Sequence, residues 1–114
     1  MSEDDFTQTP AWRAALALTQ RIYQVTSDFP EPERQGLTAE LRQTAGGIMH
    51  DLAEAYAAET AADRRAGYRT ARGKAFRLIS QLRLSHELRY LVNRAELNEL
   101  VAACRNLLEA MEAR

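Results

Sequence analysis

The last proline in this chain is Pro32, and apolar residues recur at steps of three and four from Leu37 to Met111. Proline in a helix interior removes a hydrogen-bond donor and clashes with the preceding turn, so its confinement to the first 32 residues leaves everything after it free to be helical. Only 5 glycines interrupt a composition rich in Ala, Leu, Glu, Gln and Arg, which are strong helix formers. The expected fold class is therefore all-α.

Four helical segments can be placed. The first starts near Pro10, where proline is tolerated in the opening turn. Its stripe runs through Ala11, Ala15, Leu18, Ile22, Val25 and Phe29 and is widened by Trp12, Leu16 and Tyr23. Phe29-Pro30 should end it, because a residue before proline is pushed out of the α region. Leu37, Leu41, Ala45, Ile48, Leu52 and Tyr56 define the second helix. Gly46-Gly47 at its centre costs about 1 kcal/mol per glycine relative to alanine, which calls for a close helix–helix contact or a kink. Between the second and third helices only Thr60 and Asp63 offer capping chemistry. The third helix buries a seam of Tyr68, Ala71, Ala75, Leu78, Leu82 and Ser85. Asn93 followed by Glu96 fits the cap of a fourth helix. That helix turns inward Leu97, Leu100 or Val101, Cys104, Leu107 or Leu108, and Met111. Short connections favour an antiparallel up-down four-helix bundle. We expect residues 1–9 to be a flexible N-terminal arm and residues 10–114 to be one bundle domain.

With these helices placed, the residues between and within them form a pattern. Trp12 and Ala15 follow Phe6 at the start of the first helix, and Ile22, Tyr23 and Thr26 follow in it. The turn reads FPxxExxGL through Phe29, Pro30, Glu33, Gly36 and Leu37. The second helix continues with Leu41, Arg42, Ala45, Ile48, Ala53 and Glu54, and the third carries Ala71, Gly73, Leu78, Gln81 and Leu82. Over nearly its whole length the chain resembles the 23S rRNA intervening-sequence protein family of small bacterial four-helix bundles. It departs from that pattern at Gln43, where the family has a second Arg, at Asp51, where it has Asn, and at Ala55, where it has Gly. The resemblance implies a cytoplasmic, non-enzymatic bundle assembled as a ring-like homopentamer. It also implies a link to retroelement accessory bundles that bind a reverse transcriptase and nucleic acid.

Charge is distributed unevenly behind a net of −1. Between Arg64 and Arg89 lie eight basic residues and the single acid Glu87, a surplus of seven positive charges that the rest of the chain outweighs with a surplus of eight negative ones. Lys74 is the only lysine. At ~100° per residue, Arg65, Arg69, Arg72, Phe76 and Arg83 fall on one narrow stripe of the third helix, bordered by Ile79 and His86. Arginines around an aromatic suit a protein–protein interface. They also suit phosphates and stacked bases. The leading expectation is a homo-oligomeric scaffold or interaction protein in which acids of this or a neighbouring chain neutralise the stripe. The alternative is a nucleic-acid-binding adapter using the same residues.

Other chemistries find less support. His50 and Glu54 share a helix face, but two ligands do not make a metal site, and neither histidine has a Glu three residues before it, as carboxylate-bridged bundles require. Cys104 lies on an apolar seam, where a thiol behaves as a small hydrophobe, and no neighbouring base would activate it. A lone cysteine also fits a reducing compartment. Gly46-Gly47 matches no phosphate-binding loop. We therefore expect neither catalytic residues nor a cofactor. No apolar run approaches the ~20 residues that span a bilayer, and the acidic N-terminus is unlike a secretory signal.

Overall fold

The computed structural model describes residues 5–112, and positions 1–4 of the expected arm lie outside them. Four helices form: α1 (Pro10–Thr26), α2 (Leu37–Ala57), α3 (Ala61–Glu87) and α4 (Arg94–Glu112). Helices adjacent in sequence pack side by side and α4 closes back on α1, giving an antiparallel up-down four-helix bundle measuring 44 × 25 × 21 Å. Each helix buries its sequence-periodic seam. Leu18, Ile22, Leu41, Ile48, Leu78, Leu82, Leu100 and Leu107 are at most 2% exposed, each worth about 1.5–3 kcal/mol of apolar transfer. Both Leu100 and Val101 are buried, while Leu108 packs half-buried at the edge beside Leu107.

Side-chain caps set several boundaries. Thr9 Oγ1 accepts from Trp12 N at 3.3 Å and opens α1. Thr60 Oγ1 accepts from Asp63 N at 3.0 Å, and Asn93 Oδ1 accepts from Glu96 N at 3.1 Å, as the sequence predicts for α3 and α4. Ahead of α1, Asp5–Gln8 form a 3-10 turn, and Phe6 meets Trp12 and Tyr56 edge-on at 5.6 and 6.4 Å. Helix α3 ends on Arg89 at φ 66°, the left-handed conformation that glycine ordinarily supplies. His86 Nδ1 donates to the Leu91 carbonyl at 2.8 Å across that turn.

Three expectations need correction. Helix α1 stops at Thr26 rather than at Phe29, because Ser27 N and Ser27 Oγ both turn back to the Gln24 carbonyl and Phe29 N to that of Thr26. Thr26 is buried, whereas Tyr23 is 48% exposed instead of widening the core stripe. The glycine pair in α2 does not mark the close helix contact: a Cβ at Gly46 would meet nothing within 4 Å, and one at Gly47 would meet only the Lys74 side chain, nearest at 3.3 Å. The α2–α3 approach is tightest at Gly67, where a Cβ would stand 2.7 Å from Ala55 Cβ.

Candidate interaction surface

The residues of the FPxxExxGL turn build a corner beside an open cavity of about 230 Å³ lined by Thr26, Phe29, Pro30, Glu31, Arg34 and Arg42. Phe29 is buried and its ring lies 5.7 Å from that of Tyr90. Pro30 leads into a 3-10 turn over Glu31–Glu33. Glu33 then does two jobs: Oε1 accepts from Leu37 N at 3.0 Å, satisfying an orphan donor at the start of α2, and Oε2 accepts from the Tyr90 hydroxyl at 3.1 Å. Gly36 permits this fold-back, since a Cβ there would sit 2.6 Å from Glu33 Oε1. The Glu33 hydrogen bond, helped by desolvation and the carboxylate's charge, raises the Tyr90 phenol above its usual value.

A second connection joins α1 to α2. Arg42 Nε donates to Thr26 Oγ1 at 2.9 Å and Nη2 to the Tyr23 carbonyl at 3.3 Å, while the guanidinium lies 4.5 Å above the Tyr23 ring. A cation at a helix C-terminus satisfies carbonyls the helix itself leaves open. Trp12, half-buried, closes the opposite end of α1 against Phe6.

The basic stripe lies wholly on the outer face of α3. Arg65, Arg69, Arg72 and Arg83 are exposed, and Phe76 among them is 48% exposed. Arg72 stands 5.0 Å above the Phe76 ring, a cation–π contact that holds both side chains in one orientation. Among the described residues none of these four arginines forms an ion pair; the three bridges present are Arg21–Glu99, Arg34–Glu31 and Lys74–Asp51. The stripe is therefore without a direct ion pair among the described residues. A shallow cavity of about 140 Å³ beside it is lined by Arg65, Tyr68, Arg69, Arg72, Leu108, Met111 and the acidic Glu112. Two other large apolar residues are exposed at the far end of α3, Leu84 in its last turn and Leu88 just past it.

Sequence reasoning missed a second charged feature. Where α2 approaches α3, a cavity of about 250 Å³ is lined by Asp51, Glu54, Ala55, Asp63, Gly67 and Thr70. Asp51 is held by Lys74 at 2.8 Å, whereas Glu54 and Asp63 form no ion pair among the described residues. Gly67 faces Ala55 across this approach, a pairing set by how the two helices are rotated against each other and encoded in no local spacing.

The remaining candidates are quickly placed. His50 is exposed beside half-buried Gly46 and Gly47, and among the described residues no three metal-ligating side chains converge. Cys104 is fully buried, and burial pushes its thiol up to about 12 against a small opposing effect from Arg105. A protonated, inaccessible thiol is no nucleophile. No helix among the described residues is long and apolar enough to cross a membrane.

The family model for the 23S rRNA-intervening sequence protein matches residues 7–113, nearly the entire chain. The chain belongs to that family, which is not a known enzyme family. No curated protein matches it.

Proposed function

We propose that this member of the 23S rRNA-intervening sequence protein family is a non-enzymatic, homo-oligomeric scaffold whose α3 face carries the contact between copies. The observation behind this reading is the stripe of Arg65, Arg69, Arg72 and Arg83, which faces outward with no ion pair among the described residues, Glu112 being the one acid lining the cavity beside it, and encloses a half-exposed Phe76. Arginine and aromatic side chains are enriched in interface cores, where the planar guanidinium tolerates partial desolvation better than an ammonium does. A net charge of −1 leaves each copy with acids to match the stripe on another copy. Contacts between two different faces of the same chain generate rings when the rotation closes. Five copies, in a cytoplasmic protein, is the assembly that the family resemblance implies.

Light scattering on the purified protein should give a mass several times the 12.9 kDa of one chain. Arg69→Glu with Arg72→Glu should lower that mass while leaving far-ultraviolet circular dichroism unchanged; an unaltered mass removes the α3 assignment. The same two proteins should be titrated with single-stranded RNA at rising salt. Binding that weakens steeply with salt and vanishes in the double variant would instead favour a nucleic-acid adapter.

A further inference from the structure

The cavity of about 230 Å³ beside the FPxxExxGL corner contains a hydroxyl that the fold leaves unused. Five threonines lie within the four α-helices, and Thr19, Thr26, Thr44 and Thr70 each turn the hydroxyl back to the carbonyl four residues earlier. Thr38 is the exception: it is only 6% exposed, yet its hydroxyl makes no hydrogen bond among the described residues. Nor is that oxygen sealed from solvent, so it opens onto the cavity that Thr38 lines. A polar group buried to this degree ordinarily has a partner, because leaving it without one costs free energy. The groups around it are cationic donors. Arg34, Thr38 and Arg42 are spaced by four residues, which puts Thr38 and Arg42 on one face of α2 and Arg34 in the turn just ahead of it. Arg42 is anchored by Thr26 Oγ1 and the Tyr23 carbonyl, which take two of its five N–H donors and leave three. Arg34 is held only by Glu31, at 3.1 Å, with the two side chains 72% and 74% exposed. An ion pair so exposed contributes little and exchanges readily.

From these groups we infer that the cavity binds a tetrahedral oxyanion, a phosphate that is either free or the phosphomonoester of a small molecule, through Thr38 Oγ1, Arg42 and Arg34. Guanidinium groups present paired N–H donors whose spacing matches phosphate oxygens. The Thr38 hydroxyl gives the anion a donor on the floor of the cavity, and the first turn of α2 adds the positive end of a helix. Glu33 caps that turn at Leu37 N alone, so it does not occupy the cavity. Glu31 is the one acid in the lining, and it is displaced when Arg34 turns inward to the anion. Phe29 and Pro30 form an apolar wall on which the carbon part of a phosphomonoester would rest. None of the α3 arginines takes part, so the site stands independently of the assembly proposed above.

The test is isothermal titration calorimetry of the full chain with inorganic phosphate and, separately, with glycerol 3-phosphate, both in chloride buffer. At least one should saturate a single site per chain. Tighter binding of glycerol 3-phosphate assigns the phosphomonoester; equal or weaker binding assigns the free anion. Thr38→Val keeps the buried shape but removes the hydroxyl, and should weaken binding about tenfold, as expected for a lost hydrogen bond to a charged group. Thr38→Ser should retain the affinity. Arg34→Gln, at an exposed position, should also weaken binding and serves if Thr38→Val fails to fold by circular dichroism. Glu31→Gln should tighten binding, a gain that damage to the fold would not produce. Arg42 is left unchanged because it also ties α1 to α2. Absence of saturation by either compound overturns the site. So does binding that Thr38→Val, Arg34→Gln and Glu31→Gln all leave unmoved, which would put the anion on the α3 arginines instead.

Discussion

Replacing single helical glycines by alanine offers a direct measure of the α2–α3 contact. In a helix interior this change gains about 1 kcal/mol from backbone entropy. At Gly46 the new methyl meets nothing within 4 Å, so the gain should be kept; for a domain near this size, 1 kcal/mol corresponds to roughly 4 °C in Tm. At Gly67 the same methyl would stand 2.7 Å from Ala55 Cβ and 3.2 Å from Ala55 Cα. Carbon atoms pack at about 3.5–4.0 Å, so the helices must part by close to 1 Å. Neither atom belongs to a flexible side-chain end that could swing away. Such overpacking costs about 1–3 kcal/mol. Because the propensity gain is common to both substitutions, Gly67→Ala should be less stable than Gly46→Ala by about that steric cost. Ala55→Gly in the Gly67→Ala background should recover part of the loss, a coupling on the order of 1 kcal/mol in a double-mutant cycle. Denaturant unfolding followed by circular dichroism gives each value, at one fixed protein concentration because association adds to apparent stability. If Gly67→Ala proves as stable as Gly46→Ala, or Ala55→Gly brings no relief, the close approach at this corner is refuted.

Two further perturbations address the turn and the core. Glu33→Ala removes the acceptor for Leu37 N and the partner of the Tyr90 hydroxyl, and should cost about 1–3 kcal/mol; it should also bring the Tyr90 phenol back down toward 10.0 in a phenolate absorbance titration, and an unmoved titration would contradict the Glu33 contact. Cys104 is raised from 9.0 to about 12, so the folded state favours the neutral thiol: its contribution is complete below about pH 9 and is lost as pH climbs toward 12. Alkaline unfolding should accordingly be shallower in Cys104→Ala, and the native thiol should resist disulfide reagents near neutral pH; rapid stoichiometric labelling of folded protein would show that Cys104 is not sealed in the core.

The chain's own pattern determined the helices, their buried seams and most of their ends, since periodicity and caps act within a few residues of one another. Leu41, Ile48, Leu78 and Leu82 lie where a 3.6-residue repeat puts them, and Thr60 and Asn93 cap what they precede. Its basic stripe was equally legible, because a helix places residues at fixed angles whatever surrounds it. Tertiary structure decided what no local rule encodes. Glu33 reaches Tyr90 across 57 residues, Arg42 selects Thr26 and leaves Tyr23 outside, and Gly67 rather than Gly46 meets the neighbouring helix. Each depends on how helices are rotated and shifted against one another by a few ångströms. That same packing left the α3 arginines without an ion pair among the described residues, with Glu112 lining the cavity beside Arg65, Arg69 and Arg72. A stripe can be read from spacing, but whether the chain neutralises it is settled only when all four helices are in place.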